Sequence, residues 1–163
     1  MTSRYVSLAV LLALVVGASF LAGSFEAGEW YYQKLSRPGW TPTATLFALA
    51  WAVFYTLLAL AAWSVWAGGH YDRLRALAWW LLLLLLAVGW SLLFFGYNLI
   101  GWAWLLLGLT LVVNLLCFRA FLPLARQGAL LLLPAFAWLL FLWALNLVMW
   151  SSSGGFLGRW FSA

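Results

Sequence analysis

The residues of this sequence best placed to act on another molecule are aromatic side chains at helical spacing. Three stripes have members four residues apart: Trp51 with Tyr55, Trp90 with Phe94, and Trp138 with Leu142 and Asn146. Residues four apart share one face of a helix, so each stripe presents its side chains together. Such faces either pack as a core or form the walls of a flat apolar pocket for a planar hydrophobic ligand. Asn146 is costly in an apolar medium unless it is hydrogen-bonded, so we expect it to face other helices.

A stiff connection precedes the first stripe. Pro38 and Pro42 flank Trp40 and fix the backbone angle φ twice within five residues. A rigid loop leading into an aromatic helix face can cover a pocket. The alternative is a turn outside the helices, followed by a helix whose aromatic face is simply packed.

Few residues of this sequence are of a type that could catalyse a reaction or bind a metal ion. The only histidine, His70, stands beside Asp72 in a polar loop, and the only cysteine, Cys117, has no disulfide partner. A protein metal site needs several such ligands, and no nucleophile–base–orienter set can be assembled. Glu26 and Glu29 could form a general-acid pair, but a solvated loop edge is the better interpretation. We therefore predict no catalytic residue, no metal site and no required cofactor.

The composition indicates a lipid environment. Hydrophobic residues make up 68% of the chain and charged residues 7%, with a mean hydropathy of +1.06. Soluble domains carry about 25% charged residues. Fourteen Trp and six Tyr fit a chain with many residues at the lipid–water boundary. The eight basic residues are scattered, which favours contact with anionic lipid and excludes a nucleic-acid surface.

Five apolar segments are each long enough to cross a bilayer, which needs about 20 residues. They cover roughly residues 5–24, 45–67, 76–95, 100–121 and 129–150, and a Ser- and Gly-rich flexible tail covers 151–163. The first segment could be a signal peptide, but its single Arg and the four further spans favour a retained helix. The sequence thus predicts an all-α integral membrane bundle of five transmembrane helices in one domain, 1–163.

Small residues recur in the first segment. Ala9, Ala13 and Gly17 are four apart, as are Ser19 and Gly23. This spacing predicts close helix–helix approach in lipid, although ordinary use of Ala and Gly would also produce it.

The distribution of basic residues predicts the orientation. Five lie at the end of the bundle that holds the N-terminus (Arg4, Arg73, Arg75, Arg119 and Arg126) and three at the other (Lys34, Arg37 and Arg159). The positive-inside rule then gives a cytoplasmic N-terminus, in a bacterial inner membrane. No charged residue falls clearly within a span, which argues against an ion-coupled transporter.

Several motifs together resemble the TspO/MBR family, the tryptophan-rich sensory proteins related to the mitochondrial translocator protein. The resemblance covers most of the chain. It rests on Trp30-Tyr31-Tyr32, Leu35, Arg37-Pro38-Gly39-Trp40-Thr41-Pro42, Ala50-Trp51, Tyr55, Trp90, Phe94-Phe95-Gly96, Pro134, Trp138, Leu145 and Asn146.

The resemblance implies a five-helix bundle, often a homodimer, with a ligand cavity closed by the first loop. Family members bind porphyrins and haem, sterols in animals, and synthetic aromatic compounds, and some are credited with light-dependent porphyrin breakdown. Carried onto this chain, the resemblance implies a ligand site at Tyr32, Pro42, Trp51, Tyr55, Trp90, Phe94, Trp138 and Asn146.

Some positions depart from the family pattern. Ala87 stands at a usual Asn, Ser91-Leu92 at a usual Thr-Pro, Thr43 at a usual Pro and Ala135 at a usual Tyr. The expected pocket has thereby lost polar groups, so we expect weaker or altered ligand selectivity.

Three functions follow as hypotheses. The favoured one is a membrane receptor or sensor that binds a tetrapyrrole such as a porphyrin or haem, with a sterol-like molecule as a further ligand class, in tetrapyrrole transport or regulation. The alternatives are an enzyme that degrades porphyrin in light and a non-binding membrane partner protein that works through helix contacts.

Overall fold

Five long helices form the chain in the computed structural model, which describes residues 2–25 and 28–153, with side chains from residue 5 onward. The helices are α1 (Thr2–Gly23), α2 (Ala44–Gly68), α3 (Arg73–Ser91), α4 (Ile100–Phe121) and α5 (Arg126–Ser152). Two π-helical turns, Trp30–Lys34 and Leu92–Gly96, complete the regular structure of the described residues. The predicted all-α architecture is confirmed, and all five helices are long and apolar enough to cross a membrane.

The helix ends differ from the sequence prediction by a few residues. α3 begins at Arg73 and α5 at Arg126, each three residues earlier than expected. Their first turns carry charged residues that end the apolar run but do not interrupt the helical backbone. Pro134 consequently lies inside α5 rather than near its start. Of the predicted flexible tail, residues 154–163 lie outside the described residues.

Local chemistry explains both ends of α2. The Thr43 hydroxyl accepts a hydrogen bond from the Leu46 amide at 3.3 Å, which caps the first turn. Gly69 ends the helix with φ of 69°, a left-handed conformation that glycine adopts without strain. Thr43, one of the departures from the family pattern, is thus a helix cap in this chain.

The helices pack in a ring in the order α1, α2, α5, α4, α3, with α1 also closing the ring against α3. α1 is the least buried of the five, and among its described side chains only Leu11 and Val15 are buried. The other four helices form the body of the bundle, whose core is apolar and rich in Leu and aromatic rings.

Close helix approach occurs at glycines other than those the sequence pattern indicated. A Cβ atom on Gly17 or Gly23 of α1 would meet nothing within 4 Å, so these residues do not bring helices together. A Cβ on Gly128 of α5 would instead collide with Ser64 Oγ and lie 2.9 Å from the Ala61 carbonyl oxygen of α2. Within this chain the predicted close packing along α1 is therefore not formed, and the tight crossing is between α2 and α5.

Candidate functional site

A cavity of about 950 Å³ lies beneath loop 1, the connection of residues 24–43 between α1 and α2. We call it the loop-1 cavity. Its wall consists of residues from α1 (Ser19, Ala22 and Gly23), loop 1 (Phe25, Tyr31, Tyr32, Leu35, Arg37, Pro38, Thr41, Pro42 and Thr43), α2 (Ala44, Phe47, Ala48, Trp51, Ala52 and Tyr55) and α3 with its π-helical turn (Ser91 and Phe95). This volume is at the upper end of the range for small-molecule pockets, roughly 300–1,000 Å³.

Small residues keep the cavity open. Ala44, Ala48 and Ala52 recur every four residues along the wall that α2 provides, and Ala22 and Gly23 face the same space from α1. None of these side chains is long enough to fill the gap between the two helices. Of the small residues of α1 that suggested helix packing, Ser19 and Gly23 line the cavity, whereas Ala9, Ala13 and Gly17 do not.

The floor of the cavity is aromatic. The rings of Trp51 and Tyr55 are stacked, with centroids 5.5 Å apart and planes at 28°. This arrangement follows directly from their four-residue spacing on α2. Tyr55 is almost fully buried and Trp51 is half-buried, so the pair meets the cavity chiefly through the indole of Trp51.

One polar atom in the floor has no partner. Tyr55 is 4% exposed, and its hydroxyl forms no hydrogen bond within the part of the chain that the structure describes. A buried hydroxyl without a partner typically costs about 1–3 kcal/mol. The oxygen itself is buried behind the cavity wall, so a ligand would have to displace neighbouring side chains to form a hydrogen bond with it.

Loop 1 is held in place by a cationic contact. The Arg37 guanidinium lies 5.0 Å from the ring centroid of Tyr31 and 5.3 Å from that of Tyr32, within cation–π range. Burial raises the pKa of Tyr31, and a hydrogen bond and the charge of Arg37 partly oppose that shift. Tyr31 therefore stays protonated at neutral pH, and the cation remains at the cavity mouth. The Thr41 hydroxyl also donates to the Pro38 carbonyl oxygen at 2.6 Å, which stiffens the proline turn.

Next to this floor, further rings pack against one another. We call Phe47, Trp90, Phe94, Phe95 and Trp138 the aromatic cluster; Phe47 and Phe95 also line the loop-1 cavity. Trp90 stacks on Phe94 at 5.2 Å, while Phe47 meets Trp138 edge-on at 5.7 Å. Trp51 joins the cluster to the cavity, because its ring also stacks on Trp90 at 5.6 Å. The space left beside the cluster is only about 10 Å³, about the least that could hold a single water.

Asn146 connects three helices within the same core. In the amide orientation that satisfies its hydrogen bonds, Nδ2 donates to the Ile100 carbonyl oxygen and Oδ1 accepts from Trp90 Nε1, both at 3.1 Å. The side chain is 2% exposed. Asn146 thus faces the bundle, as its polarity in an apolar span predicts, and its polar atoms already have partners.

The ligand-site residues inferred from the sequence fall into two groups. Tyr32, Pro42, Trp51 and Tyr55 line the loop-1 cavity. Trp90, Phe94 and Asn146 border only the small space beside the aromatic cluster, and Trp138 borders neither. That any of the eight binds a ligand stays a prediction.

Sequence reasoning missed several wall residues. It placed Arg37 in the recognition motif and among the charges that set orientation, but not in the cavity. Ser91 contributes a hydroxyl group to the wall, whereas Ala87 and Ala135, also departures from the family pattern, are fully buried and lie outside it. The sequence around Arg37 could have predicted its contact. Tyr31 and Tyr32 precede the arginine and two prolines follow it, so aromatic ring faces are the main partners available to its charge.

The sequence candidates for metal or acid chemistry do not come together. His70 and Glu29 are exposed, and no group of three or more potential metal ligands occurs among the described residues. The other member of the proposed acidic pair, Glu26, lies outside the described residues, as do Arg159 and the side chain of Arg4.

Known proteins match almost the whole chain. A family model described as the TspO/MBR family matches residues 8–151. The tryptophan-rich protein TspO of Archaeoglobus fulgidus is 31% identical over 86% of this chain and 92% of its own length. The human translocator protein is 31% identical over 93% of this chain and 90% of its own length, and protein CrtK of Rhodobacter capsulatus is 30% identical over 80% and 82%.

Proposed function

The chain belongs to the TspO/MBR family and is an integral membrane protein, and on that premise we propose that it binds a planar hydrophobic acid, a porphyrin or haem, in the loop-1 cavity. Binding would serve sensing, transport or regulation of tetrapyrroles. The observation that carries the proposal is the floor of the cavity, where the stacked rings of Trp51 and Tyr55 lie beside an unpartnered hydroxyl.

The size and shape of the cavity support a large flat ligand. Its volume of about 950 Å³ exceeds what a single-ring compound would fill. Its floor is a stacked aromatic pair, and offset stacking on such a pair contributes about 0.5–1.5 kcal/mol beyond the burial of area. An extended conjugated ring system gains most from this surface.

The charge in the lining supports an acidic ligand. Arg37 is the one charged side chain among the described residues that line the cavity, so the lining offers a cation to a ligand. Porphyrins and haem carry carboxylates at one edge of a flat ring, which matches a cation beside an aromatic floor. A sterol has no carboxylate and would leave Arg37 unused, so a tetrapyrrole fits better than a sterol-like molecule.

We further propose that the N-terminus faces the cytoplasm, in a bacterial inner membrane. Four described arginines, Arg73, Arg75, Arg119 and Arg126, lie at the same end of the bundle as the start of α1. Lys34 and Arg37 lie at the other end. This imbalance supports a cytoplasmic N-terminus and puts the mouth of the cavity on the opposite side of the membrane.

Titration of the detergent-purified protein with protoporphyrin IX tests the proposal through the shift of porphyrin absorbance. The variant Ala48→Trp places a large ring in the cavity and should abolish saturable binding. Ala137→Trp adds the same ring to an exposed position of α5 and should bind as the wild type does. Equal affinity of both variants would refute the location in the loop-1 cavity.

The dimethyl ester of protoporphyrin IX tests the role of charge. Arg37→Gln should weaken binding of the free acid by about tenfold, the loss of one charge-assisted contact, and leave the ester unchanged. An equal loss of affinity for the free acid and the ester would mean that Arg37 affects binding only through the conformation of loop 1. Under illumination, the bound porphyrin should be recovered with its spectrum intact; a new absorbing product would favour the enzymatic alternative.

A further inference from the structure

A second concave surface runs along the outside of the bundle between α1 and α3, at the end opposite the loop-1 cavity. We call it the α1–α3 groove. It has a volume of about 790 Å³ and is lined by Val6, Ser7, Val10, Leu11, Leu14, Trp66, Leu74, Leu77, Ala78, Trp80 and Leu81. Apart from Ser7, every lining residue is apolar or aromatic.

The groove exists because α1 docks loosely here. None of the α1 residues before Leu11 whose side chains are described is buried. On α3, the short side chain of Ala78 stands among the leucines and leaves a gap that neither helix fills. The lining extends over eight residues of α3, from Leu74 to Leu81, and the seven residue steps between them correspond to roughly 10 Å of slot parallel to the helix axes.

A tryptophan and an arginine mark one end of the slot. Trp66 lines the groove, and the Arg73 guanidinium lies 4.4 Å above its ring centroid. Trp80 closes the inner side and is already satisfied, since its Nε1 donates to the Leu58 carbonyl oxygen at 2.9 Å. The slot is therefore apolar along its length, and the Arg73 guanidinium lies beside one of its ends.

The groove end at the start of α3 carries more positive than negative charge. Arg73 and Arg75 occupy the first turn of α3, which has no acidic residue, and beside them stands the carboxylate of the N-cap residue Asp72, which makes no side-chain capping bond. No described residue forms an ion pair with either arginine. Two cations at the positive end of a helix dipole repel that dipole, so an anion at this point would be stabilised by both arginines and by the helix.

We propose that the α1–α3 groove is a binding site for one anionic phospholipid. Its phosphate would lie at Arg73 and Arg75, and one acyl chain would fill the slot beside Ala78. The slot opens sideways, where a membrane-spanning bundle meets lipid, and its cationic mouth lies at the bundle end proposed to be cytoplasmic. The charge selects an anionic headgroup over a zwitterionic one, because a zwitterion brings no net charge to the arginines.

Native mass spectrometry of the full chain with dioleoylphosphatidylglycerol and dioleoylphosphatidylcholine tests this site, since the two lipids share their acyl chains. The first bound phosphatidylglycerol should be retained at least tenfold more tightly than phosphatidylcholine. Arg73→Gln and Arg75→Gln should each weaken the binding of phosphatidylglycerol by about fivefold and leave the binding of phosphatidylcholine unchanged. Arg119→Gln, an exposed arginine on the last turn of α4, is the matched control and should have no effect.

A second pair of variants tests the slot. Ala78→Trp should fill the slot and weaken the binding of both lipids, whereas Ala137→Trp should change the binding of neither. Equal retention of the two lipids by the wild type would overturn the proposal, as would an effect of Arg119→Gln equal to that of Arg73→Gln. If the wild type bound lipid weakly but formed a dimer that Ala78→Trp dissociates, a second copy of the chain would occupy the groove. That result would also overturn the proposal. None of these outcomes depends on porphyrin binding, which the same variants should leave intact.

Discussion

The aromatic cluster and the loop-1 cavity are built from the same kinds of residue, yet one is filled and the other is open. In the cluster, each ring faces another large side chain: Trp90 stacks on Phe94, and Leu142 and Met149 border the same small space. In the cavity, alanines stand beside Trp51 and Tyr55 on α2, and the described residues that α1 contributes to the wall are all small: Ser19, Ala22 and Gly23. Rings at helical spacing therefore predict convergence, while the residues opposite decide whether a void remains.

The two regions can be compared through one buried polar side chain in each. The Asn146 amide bonds to Trp90 and Ile100, whereas the Tyr55 hydroxyl has no described partner, and neither has Trp138 Nε1 within the cluster. Removing a polar group that has partners breaks hydrogen bonds, and removing one without partners breaks none. Variants in the cluster should therefore change stability, and variants at the cavity should change binding.

The largest effect is expected for Trp90→Ala. Removing this buried ring leaves a hole among Trp51, Phe94 and Phe95, and losses of large core aromatics cost about 3–5 kcal/mol. The free energy of unfolding, measured by denaturant titration in detergent micelles, should fall by that amount. A loss under about 1 kcal/mol would show that the cluster is loosely packed and would remove the contrast with the cavity.

A smaller loss of stability is expected for Asn146→Leu, which keeps the volume of the side chain. Trp90 Nε1 and the Ile100 carbonyl oxygen would lose their partner in the core, at a cost of about 1–3 kcal/mol. The same unfolding titration measures it, and the indole N–H of Trp90 should move in the amide–indole NMR spectrum. Unchanged stability would mean that the hydrogen bonds of Asn146 are not formed.

The matched substitution in the cavity is Tyr55→Phe, which removes only a hydroxyl. Because that hydroxyl has no described partner, the unfolding free energy should stay the same or rise slightly. Binding of protoporphyrin IX should weaken by about two- to tenfold if the hydroxyl bonds to the ligand, the equivalent of one neutral hydrogen bond. A loss of stability comparable to that of Asn146→Leu would indicate that Tyr55 has a structural partner.

The affinity of two tryptophan variants for porphyrin can show whether the ligand lies in the cavity or in the cluster. Trp51 contacts both, while Trp138 packs on Phe47 and Phe141 and borders no cavity. Trp51→Ala should weaken porphyrin binding by several-fold and Trp138→Ala by less, as measured by porphyrin absorbance. Equal losses would put the ligand deeper, between α2 and α5, where the cluster would have to open.

The smallest effect is expected for Phe20→Ala on α1, whose ring is 81% exposed toward the lipid-facing side. No buried space is created, so stability should change by less than about 0.5 kcal/mol. The unfolding titration used for Trp90→Ala provides the comparison. A larger loss would show that α1 is held more tightly than its burial suggests.

Much of the fold could be predicted from local sequence. The length and apolarity of five segments predicted five helices, because a bilayer-spanning segment must satisfy its own backbone hydrogen bonds. The four-residue spacings of Trp51 with Tyr55 and of Trp90 with Phe94 correctly predicted shared faces, since that spacing depends only on helix geometry. The small residues of α1 failed as a signal of close packing, because approach depends on what the facing helix presents. Gly128 makes such an approach without belonging to a repeated pattern.

The sequence by itself determined the solvent, the number of spans and the family of this protein, because hydropathy, segment length and motif residues are properties of contiguous chain. Only the tertiary structure decided where the space lies. It put the void between α1, α2 and loop 1 rather than among α2, α3 and α5, and it gave Asn146 its partners while leaving Tyr55 without one. Cavities and hydrogen bonds of this kind arise from side chains far apart in sequence, so their presence depends on how the helices are arranged around one another.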